Sequence, residues 1–210
     1  MNQKVKHIAI AGNIGAGKTT LSSSLAKHFG WEAHFEETEN NPYLSDFYGD
    51  MKRWSFNLQI YFLNSRYEQV LNIHRGDKTV IQDRTIYEDA NIFAPNLYEM
   101  GLMEQRDFMN YYSLFQMMQS QLNPPDLLIY LKASVPTLVE HITSRGRDYE
   151  SSMSLDYLKN LNQRYDDWIS NYKEGKILII NADEHDFVNK PEDLGKIINK
   201  VDAELHGLFV

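Results

Sequence analysis

The segment Gly12–Thr19 constrains the fold of this chain more than any other feature of the sequence. It reads GNIGAGKT, which matches G-x-x-x-x-G-K-[ST] in full, and it stands between an apolar run and a helical pattern. Glycines let the backbone wrap around a phosphate, so that N–H groups and a helix N-terminus face its charge. Lys18 then neutralises the β- and γ-phosphates, and the Thr19 hydroxyl is a ligand for Mg²⁺. The residues expected to bind the nucleotide are Gly12, Asn13, Ile14, Gly15, Ala16, Gly17, Lys18, Thr19 and Thr20.

Short apolar runs alternate with helical segments along the rest of the chain. The runs that predict strands are Val5–Ala11, Ala33–Glu36, Thr79–Asp83, Leu127–Lys132 and Ile177–Asn181. This alternation is typical of a parallel sheet that is covered by helices on both faces. We expect one α/β domain over residues 1–210, with a five-stranded parallel sheet and a P-loop NTPase-like fold. The second strand is expected to lie beside the first.

The composition argues against several classes of function. The chain has 210 residues, no cysteine and a formal charge of −8. The lack of cysteine excludes disulfides and thiolate metal sites, which fits a reducing cytoplasm. An acidic chain is a poor partner for nucleic acid, and no apolar stretch approaches the roughly 18 residues of a membrane span. We therefore expect a cytoplasmic protein that binds neither nucleic acid nor membrane.

Two short fragments match guanine-nucleotide motifs. Asn199–Asp202 spells N-K-x-D, and Asp46–Gly49 spells D-x-x-G. The first lies inside the final helical segment, where Val201 takes a core position, and the second does not end an apolar strand. Patterns this short often match by chance, so we do not favour a GTPase.

Charged residues follow the predicted strands at the edge where parallel α/β sheets bind ligands. Asp83 and Arg84 end the third strand and can orient Mg²⁺ and contact a phosphate, although a salt bridge gives the same pattern. Glu36, at the end of the second strand, is placed to accept the proton of an attacking hydroxyl. Arg145 and Arg147 flank a glycine in a predicted lid over about residues 144–153, where guanidinium groups can offset phosphoryl charge.

The helical segment 53–74 carries a polar stripe among aromatic residues. The stripe, at positions i, i+4, i+7 and i+11 of one face, consists of Ser55, Gln59, Phe62 and Arg66. An apolar core stripe would not normally carry Gln and Arg, so we predict a pocket for a flat heteroaromatic ring. Asp89 and Phe93, spaced i, i+4 on the next helix, can reach the same ligand. A buried Arg66–Asp89 salt bridge that only supports the fold is the alternative.

Together these segments resemble a known family. GNIGAGKT, the Glu36 segment, NNPYLSDFY, RWSFNLQIYFLNSR, QDRTIYEDANIFA and SRGRDYE are similar to the deoxynucleoside kinases related to deoxycytidine, deoxyguanosine and mitochondrial thymidine kinases. NNPYL and the short length look most like the bacterial deoxyadenosine/deoxyguanosine kinases. The resemblance implies an ATP- and Mg²⁺-dependent transfer to the 5′-hydroxyl of a deoxynucleoside, giving the monophosphate for nucleotide salvage.

The resemblance also implies roles for individual residues. The catalytic group comprises Glu36 as the base with Lys18, Arg84, Arg145 and Arg147 on the transferring phosphoryl group, and the Mg²⁺ group comprises Thr19 and Asp83. The substrate-binding group comprises Glu36, Tyr48, Phe56, Gln59, Arg66, Arg84, Asp89, Phe93 and Glu150, in which Tyr48 and Glu150 hold the sugar 3′-hydroxyl. Asp186 and Phe187 fall where relatives contact the ATP adenine. His141 stands where relatives often have arginine, and Glu37 where they commonly have proline.

The Arg66–Asp89 pair bears on the choice of base, because a bulky charged pair leaves little room for a thymine methyl group. Purines or cytosine are expected, with deoxyadenosine favoured on overall similarity. Two rival functions stay open: a nucleoside monophosphate kinase, which needs further basic residues for the phosphate of its acceptor, and a non-catalytic nucleotide-binding module, which needs neither lid nor base. Relatives are commonly dimers, which implies a homodimer through segments 53–74 and 104–122.

Overall fold

A parallel five-stranded sheet organises the chain, for which the computed structural model describes residues 5–35, 41–147, 150 and 153–207. The strands are β1 (His7–Gly12), β2 (Glu32–His34), β3 (Val80–Asp83), β4 (Leu127–Lys132) and β5 (Lys176–Asn181). Their spatial order is β2-β3-β1-β4-β5, and every neighbouring pair is parallel. The predicted five-stranded parallel sheet is confirmed.

The central strand β1 is buried on both faces, because successive side chains point to opposite sides of the sheet. Ile8 and Ile10 join one apolar cluster, and Ala9 and Ala11 join the other. Continuous apolar runs of this kind are typical of parallel sheets that helices cover on both sides.

The helices pack on the two faces of this sheet. They are α1 (Lys18–Phe29), α2 (Leu44–Gly49), α3 (Met51–Arg75), α4 (Ile86–Glu88), a π-helical turn (Asp89–Phe93), α5 (Ala94–Glu99), α6 (Gln105–Gln119), α7 (Val135–Arg145), α8 (Leu155–Ser170) and α9 (Pro191–His206). Local signals explain their ends: α1 stops at Gly30 in the left-handed conformation, and α9 begins at a proline. In the described part of the chain, no helix is both long enough and apolar enough to cross a membrane.

The expectation that β2 lies beside β1 is wrong. Both edges of β1 are occupied, one by β3 and the other by β4, so β2 pairs with β3 through Ala33 and Ile81. The apolar pattern of a strand indicates that the strand is buried but not which strands are its neighbours. It therefore does not predict the order of the strands in the sheet.

The strand order brings the predicted site residues to one edge of the sheet. Asp83 of β3 stands opposite Ile10 of β1, two residues before Gly12. The chain places β2 and β3 on one side of β1 and then β4 and β5 on the other, and a crevice forms where the strand order of a parallel α/β sheet reverses in this way. The fragments at 46–49 and 199–202 lie within α2 and α9, so they do not form nucleotide loops at this edge.

Candidate active site

The phosphate loop is held in shape by its own hydrogen bonds. The Ala16 amide donates to the Asn13 carbonyl oxygen over 3.1 Å, and Lys18 Nζ donates to the same oxygen over 3.0 Å. The Asn13 side chain links the loop to α8: its Oδ1 accepts from the Ile14 amide over 2.8 Å, and its Nδ2 donates to the Leu158 carbonyl and to Asn162 of α8. The loop is thus preorganised by backbone contacts and tied to α8.

Two loop glycines have a physical reason to be glycine. Gly15 and Gly17 have φ angles of 85° and 92°, which L side chains rarely adopt. A Cβ atom at Gly15 would lie 2.8 Å from the Leu138 carbonyl oxygen, and one at Gly17 would lie 2.9 Å from the Phe187 ring. At Gly15 the backbone oxygen leaves no room for a side chain, and at Gly17 the positive φ angle would strain one and the Phe187 ring would have to move.

Thr19 and Asp83 form the polar pair next to Lys18. The Thr19 hydroxyl donates to Asp83 Oδ2 over 2.6 Å, and Asp83 Oδ1 is buried with no hydrogen-bond partner among the described residues. Mg²⁺ takes oxygen ligands and usually only one or two from protein beside phosphates and water. The pair fits that requirement, whereas the described residues contain no cluster of three or more acidic or histidine ligands for a metal.

Arg84 follows Asp83 in a strained backbone conformation. Its φ angle is 71°, in the left-handed region, and its amide donates to the Ile10 carbonyl over 3.0 Å. The guanidinium carbon lies 4.4 Å from the centre of the Phe93 ring. Strain of this kind persists where surrounding contacts impose it, often at functional sites. The turn thus places Arg84 at the edge of the sheet that carries the other predicted site residues.

A cavity of about 460 Å³ opens beside this edge. The predicted site residues that line it are Ile14, Gly15, Lys18, Thr19, Tyr48, Gln59, Asp83, Arg84, Asp89, Phe93, Arg145, Arg147 and Glu150. The phosphate loop and the polar stripe of α3 therefore face one common space. The apolar part of its wall includes Phe62, which belongs to the predicted stripe of α3, and Phe47, Leu58 and Tyr157, which the sequence prediction did not assign to the pocket.

α3 and the π-helical turn contribute an amide and a carboxylate to the cavity wall. Gln59 is 3% exposed, and its Oε1 has no hydrogen-bond partner among the described residues. Asp89 lines the cavity and pairs with the guanidinium of Arg66, which lies behind it and is 3% exposed. A buried ion pair costs desolvation, and the Arg66 guanidinium also stacks over the Phe62 ring at 4.4 Å. The structure thus brings together Gln59, Asp89 and Phe93 as predicted.

The described part of the predicted lid is joined by salt bridges. Arg145, at the end of α7, donates to both carboxylate oxygens of Glu150 over 2.6 and 2.7 Å. Arg147 lies 3.6 Å from the same carboxylate. One acidic group therefore gathers both lid arginines at the mouth of the cavity.

Some predicted residues are not part of the cavity wall that the structure describes. Glu36 and Glu37 fall outside the described residues, although Phe35, immediately before Glu36, lines the cavity. Phe56 does not line it: it packs against the cluster around Leu63 and borders a separate cavity of about 200 Å³. Phe56, Ile60 and Leu63 share one helical stripe that faces α6, which explains its position.

The residues assigned to the ATP adenine do not line the cavity either. Phe187 packs against Gly17 on the outer side of the phosphate loop, and the Asp186 carboxylate accepts from the Asn189 amide over 3.1 Å. His141 Nδ1 makes a 2.8 Å hydrogen bond with the Gly15 carbonyl oxygen. Their proximity to the loop is compatible with contacts to a nucleotide base, and the assignment stays a prediction.

Sequence reasoning missed Glu88, a fully buried carboxylate between the phosphate loop and the Asp83–Arg84 turn. Burial raises the pKa of its carboxyl above the usual value, and the charges of Arg84 and Lys18 oppose that rise. The signal was present, because Thr85-x-x-Glu88 matches a capping box at a helix start, and the structure forms that box.

Comparison with known proteins agrees with this geometry. A family model described as "Deoxynucleoside kinase" matches residues 8–206. The chain is 44% identical to a deoxyadenosine kinase of Dictyostelium discoideum, over 91% of this chain and 77% of that protein. It is 37% identical to the deoxyadenosine/deoxycytidine kinase of Bacillus subtilis, over 95% of this chain and 93% of that protein.

A solved structure shows the same fold. The deoxyadenosine kinase from M. mycoides with bound dATP superposes with a TM-score of 0.83 at 31% sequence identity, covering 94% of this chain and 99% of that one. The match to the family model, over residues 8–206, extends from β1 to the end of α9 and includes every residue that lines the cavity. The chain therefore belongs to the deoxynucleoside kinase family.

Proposed function

We propose that this chain transfers the γ-phosphate of ATP to the 5′-hydroxyl of a deoxynucleoside, with deoxyadenosine as the preferred acceptor. One observation carries the proposal: the same cavity is lined by Lys18 and Thr19 of the phosphate loop, its phosphate end, and by Gln59 of α3 and Phe93 of the π-helical turn, which we call its base end. A phosphoryl donor and a flat base can thus bind at opposite ends of one space. The relatives that are named deoxyadenosine kinases support the acceptor class.

The base preference follows from the polar groups that face the cavity. Asp89 lines it, whereas its partner Arg66 lies behind and does not. A carboxylate accepts hydrogen bonds, so at the C6 position of a purine or the C4 position of a pyrimidine it favours the amine of adenine or cytosine over the carbonyl oxygen of guanine or thymine. The Gln59 amide offers both a donor and an acceptor to the same edge. We rank deoxyadenosine first, deoxycytidine and deoxyguanosine lower, and thymidine last.

The sugar and the phosphates are held between these ends. Tyr48 and Glu150 line the cavity and are our candidates for the 3′-hydroxyl. Lys18, Arg84, Arg145 and Arg147 bring positive charge to the transferring group, where it offsets the charge on the equatorial oxygens. Thr19 and Asp83 would hold Mg²⁺, which would supply positive charge against that of the phosphates.

The proton of the acceptor needs a base. As the 5′-oxygen forms its bond to the γ-phosphorus, the bond from that phosphorus to the β,γ-bridging oxygen breaks and ADP leaves. We assign Glu36 to accept the hydroxyl proton, because it follows Phe35, which lines the cavity at the end of β2. Residues 1–210 act in this proposal as one domain with a lid over about 144–153.

A substrate panel tests the proposal. Each of the four deoxynucleosides and their 5′-monophosphates is incubated with ATP labelled at the γ-phosphate and with Mg²⁺, and labelled products are separated. We expect label on deoxyadenosine above all, and loss of transfer when Mg²⁺ is chelated. Transfer to monophosphates alone would instead indicate a nucleoside monophosphate kinase, and ATP binding without any transfer would indicate a binding module.

We also propose a homodimer through α3 and α6. Met109 and Met117 of α6 are more than half exposed, as expected of an apolar surface that a second copy covers. Sedimentation equilibrium tests this directly, because a monomeric mass at micromolar concentration contradicts it.

A further inference from the structure

Glu88 is a buried carboxylate that the reaction scheme above does not use. Its side chain is 0% exposed and accepts three hydrogen bonds. Gly12 N–H donates to Oε1 over 3.3 Å, Tyr165 O–H donates to Oε1 over 2.8 Å, and Thr85 N–H donates to Oε2 over 3.0 Å. Both oxygens are therefore engaged, and the two backbone donors lie at the end of β1 and two residues beyond the end of β3.

The two backbone partners belong to the two segments that we propose to bind the phosphates of ATP. Gly12 ends β1 and opens the phosphate loop, and Thr85 follows the Asp83–Arg84 turn at the end of β3. The left-handed conformation of Arg84 lies between Asp83 and Thr85, so the turn needs outside contacts to keep its shape. One carboxylate spans from the loop to the far side of that turn.

A helix cap alone does not account for this arrangement. A glutamate that only caps the helix needs to accept from the Thr85 amide alone. It can accept that bond at the surface, where its charge stays solvated. Glu88 instead carries its carboxylate into the interior, where an unpaired charge is costly. Burial is compatible with a cap, but the Gly12 contact adds a link to the phosphate loop that capping does not require.

We propose that Glu88 is a positioning residue for phosphoryl transfer: it fixes the spacing between the phosphate loop and the Asp83–Arg84 turn. The proposal rests on the function proposed above. Its consequence is specific, because a shift between these two parts would misalign the γ-phosphate with Asp83 and Arg84, whereas Gln59 of α3, our candidate for contact with the base, belongs to neither part. Displacements of about 1 Å in such an alignment can cost on the order of 100-fold in rate.

The test compares Glu88→Gln with Tyr165→Phe, each assayed well below its own melting temperature. The glutamine side chain keeps the volume but cannot accept from both backbone amides, since one of its ends is a donor. We expect kcat to fall about 10–100-fold while the KM for deoxyadenosine changes less than about threefold. Tyr165→Phe removes a bond to the same carboxylate but keeps both backbone links, and its kcat should stay within about threefold of the wild-type value.

Three kinetic outcomes would overturn the proposal: a folded Glu88→Gln protein with wild-type kcat, a loss confined to KM, or an equal loss of kcat in Tyr165→Phe. If Glu88→Gln does not fold, NMR of the wild-type chain decides. Amide protons that donate to a carboxylate resonate downfield, so Gly12 and Thr85 should both be shifted in this way, and random-coil positions for either amide contradict the link. An inactive wild-type enzyme would refute the proposed function but leave this NMR test valid.

Discussion

The phosphate end of the cavity is formed largely by backbone groups, and the base end is formed by side chains. At the phosphate end, glycines with positive φ angles and backbone hydrogen bonds shape the loop, and Lys18 and Thr19 are among its few side-chain groups. At the base end, side chains of α3 and of the π-helical turn make the surface, notably Gln59 and Asp89. A phosphate is the same in every nucleotide, whereas bases differ in their edges.

This difference separates catalysis from selectivity. Backbone N–H groups recognise any phosphate, so changes at the phosphate end should lower the rate with all acceptors alike. Side-chain groups at the base end discriminate between edges, so changes there should alter the ranking of acceptors. The predictions below test that separation.

The largest effect is expected at Glu36, the residue that we propose as the base. Glu36→Gln removes the base but keeps the size of the side chain, so kcat should fall by about 10²–10⁴-fold for every deoxynucleoside. Binding of ATP, measured by calorimetry, should stay near the wild-type value. Near-normal turnover in this variant would exclude Glu36 as the base.

A second large effect is expected at Lys18 of the phosphate loop. Lys18→Met removes charge from the transferring group, and kcat should fall by about 10²–10³-fold with deoxyadenosine, deoxycytidine and deoxyguanosine in equal proportion. Lys27→Met, an exposed lysine on the same helix, is the matched control and should leave kcat unchanged. A change in the ranking of the three acceptors would break the separation between the two ends.

A smaller and selective effect is expected at Gln59. Gln59→Leu removes the amide that faces the base, so kcat/KM for deoxyadenosine should fall about 10–100-fold while the KM for ATP is preserved. Asn64→Leu makes the same replacement of an amide at an exposed position of α3 and serves as the control. An equal loss with all deoxynucleosides would show that Gln59 supports the cavity instead of reading the base.

The phosphate end was more predictable from sequence than the base end. The phosphate-loop motif predicts its own conformation, because glycine spacing and the flanking strand and helix are local properties. The base end depends on which face of α3 meets the cavity. Phe56 and Phe62 lie at equal distances from Gln59 along the chain, but only Phe62 lines the cavity, since Phe56 belongs to the stripe that packs on α6.

Long-range arrangement explains the other differences. β4 was predicted with the bounds that the structure has, yet the position of β2 was not, because any order of strands gives the same apolar pattern. The π-helical turn at Asp89–Phe93 has no local signal in the sequence. Glu88 matched a local pattern, but its contact with Gly12 joins residues that are 76 positions apart.

The opposite edge of the sheet gives the smallest predicted effect on catalysis. His7, at the start of β1, is buried and bonds through Nε2 to Gln82, and burial, with repulsion from His74 and His34, lowers its pKa to about 4. The folded chain keeps His7 neutral, whereas the unfolded chain binds a proton at this residue below about pH 6.5. The contribution of His7 to the free energy of unfolding should therefore be fully present above that pH and decrease as the pH falls towards 4. Between pH 7 and pH 5 the free energy of unfolding should decrease by about 2 kcal/mol from this residue.

Urea denaturation at the two pH values measures the decrease, and His7→Gln, compared over the same range, should reduce it while leaving kcat at pH 7.5 unchanged. A parallel loss of kcat would mean that this edge of the sheet is coupled to the phosphate end, and the separation between structural and catalytic parts of β1 would fail.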